Sequence, residues 1–150
     1  MLSATEFTVG AFGNAGPLSL ILPRSKYDET ALIGWTEKGP TAIFLSGQHL
    51  FTCFESAGNR NWRGLIVPDV RIEVDETSWS DEGGLGVAIR SDTRLAIVGK
   101  NDRGFGAVLV TVQADLPPTH NEQAAFSRWQ VVLGSDNAKR VLTKMEVTPT

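Results

Sequence analysis

The chain has 150 residues, about the size at which one domain buries most of the surface its unfolded form exposes, so folding needs no disulfide or metal staple. A hydrophobic share of 41% with 21% charged residues and no biased tracts excludes a disordered or fibrous chain. Fourteen basic against seventeen acidic residues leave a formal charge of -3, too small and too mixed for long-range attraction to nucleic acid or to an acidic membrane.

Cys53 is the single cysteine, which rules out an internal disulfide and every zinc pattern built on paired cysteines. Met1 to Val9 shows no basic run followed by an apolar stretch, and no segment approaches the roughly 20 apolar residues that span a bilayer. The expectation is a soluble, cytoplasmic protein in a reducing compartment.

Taken in chain order, the hydrophobic pattern has period two. Strands are predicted at Glu6 to Val9, Leu18 to Leu22, Ala31 to Thr36, Thr41 to Ser46, Leu50 to Phe54 and Leu65 to Val67. Val70, Ile72 and Val74 then alternate with Arg71, Glu73 and Asp75, as in a strand with one face buried and the other wet. Further strands follow at Leu85 to Arg90, Thr93 to Val98, Phe105 to Ala114, Arg128 to Leu133 and Arg140 to Thr148, giving about eleven or twelve in all. Most connections are too short for parallel crossovers, so sequence neighbours should pair as hairpins. Glu37 to Pro40, Gly47 with Gln48, and Ser91 with Asp92 are the turns. Two meanders result, Ala31 to Phe54 and Leu85 to Ala114, and packing one on the other predicts a single all-β domain over residues 1–150, an antiparallel sandwich or flattened barrel. One short helix is expected over His120 to Ser127, where Thr119 and Glu122 have capping-box spacing after Pro117 and Pro118.

Nucleophilic catalysis is poorly supplied. No serine is framed by glycines, and Cys53 would stand roughly 13 Å from His49 along an extended strand, beyond hydrogen-bond reach. Cys53 between Phe51 and Phe54 reads as a small buried hydrophobe, and His49 as a hairpin end. The acidic group Glu73, Asp75, Glu76, Asp81 and Glu82 lacks the glycine and register of a calcium loop and reads as solvated. The glycines from Gly99 to Gly106 lack a phosphate-loop fingerprint. No metal or other cofactor is expected.

Two features point to binding. Trp62 lies among Arg60, Asn61 and Arg63, and Trp79 lies beside Ser80 and Asp81, so both indoles sit in polar loops able to stack on a sugar ring while donors and acceptors orient it. Trp35 and Trp129 read as core. In the second meander the face carrying Gly86, Ala88 and Ala96 lacks the charge of a solvated sheet, so it is covered either by the same chain or by a second copy. The expectation is a non-catalytic binding or assembly domain. Its partners would be a small molecule or sugar at Trp62, Arg60, Arg63, Trp79 and Asp81, or a protein, with self-association through Gly86, Ala88 and Ala96. The rival is an enzyme built from Asp75, Asp81, Arg60, Arg63 and Arg103.

Overall fold

The computed structural model describes residues 6–16, 18–24, 29–55, 62–80, 83–91, 94–104, 106–113, 124–135 and 137–147. Its strands are β1 (Thr8–Ala11), β2 (Ser19–Leu22), β3 (Ala31–Thr36), β4 (Gly39–Phe44), β5 (Cys53–Phe54), β6 (Arg63–Val67) and β7 (Arg71–Val74), followed by β8 (Trp79–Ser80), β9 (Ala88–Ser91), β10 (Arg94–Gly99), β11 (Val108–Gln113), β12 (Ala124–Phe126), β13 (Arg128–Leu133) and β14 (Arg140–Glu146). All the pairings between these strands are antiparallel. Helical geometry among the described residues is confined to short 3-10 turns at Phe12–Asn14, Gly47–His49 and Glu76–Ser78. No helix among them is long and apolar enough to cross a membrane.

The strands form two sheets. The larger runs β1-β6-β2-β3-β11-β10-β9-β12-β8, with β4 and β5 continuing from β3, and the smaller runs β14-β13-β7. Both meanders are present as hairpin chains, β3-β4-β5 and β9-β10-β11. They belong to one sheet, joined edge to edge where Trp35 on β3 meets Thr111 on β11 and again where Thr52, just before β5, bridges Lys100, just after β10; the three-stranded sheet packs on their common core. One edge of β3 is taken by β4, while the other is shared by β2 along Ala31–Ile33 and by β11 at Trp35. Gly34 sits at that handover. A Cβ there would stand 2.5 Å from Val110 Cγ1 and 2.7 Å from the Thr111 carbonyl oxygen, so only glycine lets the two backbones close.

The first strands read as continuous apolar runs because both of their faces are buried. Leu20, Leu32, Ile43 and Val67 enter the main core with Ile72, Trp129, Val131 and Met145 of the small sheet. Their neighbours Ile21, Ile33, Ala42, Phe44 and Ile66 point the other way, into a second cluster closed by Phe12, Phe54 and Trp62. Period two thus survives, but it separates two cores instead of core from solvent.

Two expectations need correction. Where the predicted helix falls on described residues it is a strand: Ala124–Phe126 pairs with β9 on one side and β8 on the other, while residues 120–123 lie outside the described set. An Ala-Ala-Phe segment is too short to distinguish the two periods, and the open edge of β9 decides in favour of the strand. Gly86, Ala88 and Ala96 also do not form one face open to a second copy: Ala88 pairs with Ile97 on the main-core face, Ala96 pairs with Ile89 on the opposite face, and both alanines are 0% exposed. Gly86, expected on a strand, forms a turn with φ of +84, and a Cβ there would enter the Phe51 ring. Its carbonyl accepts the Trp129 indole N–H at 2.7 Å inside the protein. The lack of charge at these positions reflects burial within the chain itself.

Gly34→Ala is expected to lower unfolding stability by about 1–3 kcal/mol through overpacking against backbone that cannot retreat. Urea midpoints of the variant and the parent measure this, and an unchanged midpoint would mean that the β3–β11 join is not as tight as described.

Candidate functional site

Two paired chain segments pass from one sheet to the other at a common corner. β7 continues through Asp75 and the turn Glu76–Ser78 into β8, and β12 continues through Ser127 into β13. β8 pairs with β12 in the large sheet while β7 pairs with β13 in the small one. The bend leaves backbone groups that no ladder satisfies, and polar side chains take them. Asp75 caps the turn, accepting from the Thr77 backbone N–H at 2.9 Å and the Thr77 hydroxyl at 2.6 Å. Its other oxygen accepts from Arg128 Nε at 3.0 Å. The buried Ser78 hydroxyl donates to the Asp75 carbonyl at 2.6 Å and accepts from the Arg128 backbone N–H at 3.1 Å. These bonds, the Thr77 hydroxyl first and Arg128 after it, hold the Asp75 carboxyl below its ordinary range.

The corner positions Glu76 and Trp79. Glu76 receives a two-pronged bond from Arg90 on β9, with N–O distances of 2.5 and 3.0 Å, and this lowers the Glu76 pKa. Arg90 also lies over the Phe126 ring, 4.7 Å from its centroid. Phe126 is directly opposite Trp79 across the β8–β12 pair. Trp79, at the sheet edge, is 60% exposed.

Beside Arg90 a cleft of about 450 Å³ opens between the two sheets, with Ile72, Val74 and Leu95 as its apolar part and Glu73, Glu76, Arg90, Arg94 and Gln113 as its polar part. Gln113 stitches the sheets together, its side-chain oxygen accepting from the Ile72 N–H at 2.7 Å. Glu73 accepts from Lys139 at 2.9 Å and Gln130 at 3.1 Å, and the Lys139 bond is the main reason its pKa is lowered. A mouth between sheets with an apolar floor and a few fixed polar groups is the usual form of a small-ligand site.

Among the described residues predicted from sequence as ligand contacts, only Trp79 lies at this corner, where Asp75 of the catalytic alternative and Glu73 and Glu76 of the acidic group are also found. Trp62 packs edge-on against Phe12, Phe44 and Phe54 with ring centroids 5.6, 5.5 and 4.9 Å away, as part of the second core. Arg63 is exposed on β6 opposite Ala11, and Arg60 and Asp81 lie outside the described residues. Arg103 lines a separate cavity of about 590 Å³ with Lys38, Glu55, Asn101 and Asp102. Trp129 is core at 2% exposure, whereas Trp35 is half-buried. Burial pushes the Cys53 thiol up to about 12, which leaves no thiolate at neutral pH. His49 pairs with Glu29 at 3.2 Å on an exposed turn. Among the described residues no three His, Cys, Asp or Glu side chains converge to hold a metal ion. Sequence reasoning missed Arg90 and Gln113. The one available signal was a charged residue two positions beyond Ala88, in line with the small residues of that strand.

Fold and site define the class as an all-β, two-sheet protein with a polar cleft and an outward indole at the corner between its sheets. The chain belongs to the family described as uncharacterised protein y4lG, whose sequence model matches residues 9–150. A relative from Sinorhizobium fredii (strain NBRC 101917 / NGR234), itself described as uncharacterized protein y4lG, is 52% identical over 147 residues, covering 95% of this chain and 91% of the relative. No solved structure matches the chain.

Ser78→Ala is expected to cost about 1–3 kcal/mol, because it removes a buried acceptor from the Arg128 N–H; chemical denaturation measures this, and Ser78→Thr should recover part of the loss. Asp75 gives a pH dependence of definite sign. Its folded pKa is depressed, so its contribution is complete above the ordinary value of about 3.9 and disappears as pH falls through the folded value. Asp75→Ala should therefore be less stable than the parent at pH 7, and the gap should close in urea titrations taken toward pH 2. A gap that stays constant across that range would mean the carboxylate is not the source.

Proposed function

We propose that the protein is a non-catalytic binding domain whose contact surface is the corner where its two sheets meet, Trp79 and the cleft beside Arg90 being its two parts. The observation that carries this reading is the placement of Trp79. Burying an indole is among the larger gains open to a fold, yet here the backbone is tied down at Asp75 and Ser78 and the ring is held outward. Glu76, three residues earlier, lines the cleft, so the same turn positions both parts.

The catalytic alternative draws less support. Asp75 has its acceptor capacity committed to Thr77 and Arg128 at the corner. Arg63 lies on β6, and Arg103 belongs to another cavity, so the described members of that set do not surround one space.

Nitrogen-15 spectra resolve the indole N–H signals and the arginine Nε–H signals. Titrating sugars, nucleotides, amino acids and dicarboxylic acids should identify a compound that shifts the Trp79 and Arg90 signals. The response should vanish in Trp79→Ala with the backbone spectrum otherwise intact. A ligand that shifts only signals around Asn101 and Arg103 would move the site to that cavity, and chemical conversion of the bound compound would overturn the non-catalytic reading.

A further inference from the structure

We infer that the inter-sheet cleft takes the C-terminal end of an extended peptide, which adds to the free edge of β7 at Val74 and sets its terminal carboxylate against Arg90. The inference rests on the binding reading above and deepens it.

In the small sheet, ordered β14-β13-β7, β7 is an edge strand. Along an antiparallel ladder, successive residues turn their N–H and C=O alternately toward the partner and away from it. Asp75 N–H reaches the Arg128 carbonyl at 2.9 Å, so the odd-numbered residues of this stretch face β13, and Ile72 and Val74 face outward. The outward Ile72 N–H donates to the Gln113 side-chain oxygen at 2.7 Å. An amide carbonyl from the large sheet thus already stands where an added strand would place one. Val74, on the next rung, lines the cleft, and neither its N–H nor its C=O has a partner among the described residues. An open rung facing a cleft is a site for strand addition, in which main-chain hydrogen bonds supply the affinity.

The edge is short. Gln113 closes it on one side of Val74, and on the other the chain turns at Glu76–Ser78 into the large sheet. A strand that ran through would have to displace one of them, whereas a chain end does not.

Charge favours the end that carries a carboxylate. Arg90 and Arg94 line the cleft with Glu73 and Glu76, and Glu73 is held from its other side by Lys139 at 2.9 Å and Arg71 at 3.7 Å. Cationic groups therefore outnumber carboxylates there among the described residues. Arg90 also keeps hydrogen-bonding capacity. A guanidinium carries five N–H donors in a fixed plane. Glu76 occupies two of those of Arg90, and the Phe126 ring, 4.7 Å away, fixes the plane. The donors that remain suit the two coplanar oxygens of a second carboxylate. Ile72, Val74 and Leu95 give the last side chains of the peptide an apolar lining, and the volume of about 450 Å³ falls within the ordinary range of roughly 300–1,000 Å³ for small-ligand sites.

The test is a titration of the intact protein with acetylated tetrapeptides of alanine and valine that end in a free carboxylate, with their C-terminal amides, and with an amidated peptide carrying one internal aspartate. The Val74 amide and Arg90 Nε–H signals are read at low and high salt. Expected is saturable binding of the free acid, with a shift of the Val74 amide, slowing of its hydrogen exchange by about tenfold or more, and an affinity that falls with salt. Amidation of the peptide and Arg90→Lys, which keeps the charge but loses the planar fork, should each weaken binding by about tenfold or more. If the amide binds as tightly as the acid, or if Arg90 responds while the Val74 amide does not, the inference falls. If the aspartate peptide matches the free acid, the carboxylate comes from a side chain and the chain-end assignment falls. The binding reading survives each of these results, and it also survives if no peptide binds but a sugar, nucleotide, amino acid or dicarboxylic acid shifts the Trp79 and Arg90 signals. If no compound of either panel shifts them, both fall.

Discussion

The structure depends on one buried hydroxyl and the groups gathered around it. Where β7 turns into β8 and β12 turns into β13, two antiparallel partners leave one sheet and enter the other, and the ladder between them is interrupted. Ser78 fills the interruption, donating to the Asp75 carbonyl while accepting from the Arg128 N–H. Ser127 N–H reaches the Ser78 carbonyl at 3.4 Å, and Asp75 N–H reaches the Arg128 carbonyl at 2.9 Å, so pairing resumes on both sides of the bend. Unsatisfied backbone at such a bend would cost more than any single apolar contact near it contributes. Without the corner the small sheet would remain tied to the large one chiefly through the core.

That core explains why the corner faces a cleft. Ile72, Trp129, Val131 and Met145 carry the small sheet onto the large one, and the Trp129 indole anchors itself to the Gly86 carbonyl at the start of the β9 meander. Packing is continuous there. Towards β7 and the ends of β9 and β11, the two layers carry Glu73, Arg90 and Gln113 in place of apolar side chains, and the sheets part. The second cluster, around Phe12, Phe44, Phe54 and Trp62, lies on the far side of the large sheet and takes the aromatic residues that would otherwise be candidates for ligand contact.

How far the sequence could be read follows from these two features. Runs such as Arg128 to Leu133 and the alternation from Val70 to Val74 were legible because strand period and burial agree along them. The hairpin at Glu37 to Pro40 was legible because its turn residues are local. Edge-to-edge union of the two meanders was not, since it rests on the Trp35–Thr111 and Thr52–Lys100 pairings, between residues far apart in sequence, that no local signal encodes. β8 and β12 are two and three residues long, and neither carries a period; the alanines of β12 suit a helix equally well. Trp62 and Trp79 have equally polar neighbours in sequence. Only the large sheet's second core separates them, half-burying Trp62 against its aromatic rings and leaving Trp79 at an edge.

The Glu76 and Arg90 pair illustrates why geometry outweighs energy at such a site. Both side chains are substantially exposed, and an ion pair of that kind adds little to stability. Its consequence is orientation. Two parallel bonds and the Phe126 ring beneath remove the rotamer freedom of a long side chain before any ligand arrives, so the ordering cost that usually opposes binding has already been met by the fold. The Asp75 cap fixes Glu76 in turn, because it sets the turn on which Glu76 stands. A chain of constraints therefore runs from the buried Ser78 hydroxyl, through the cap, to a guanidinium plane at the cleft, and each link is a hydrogen bond between residues that are distant in sequence or confined to one tight turn. The apolar cores set the two sheets face to face, and this polar chain fixes what the gap between them presents.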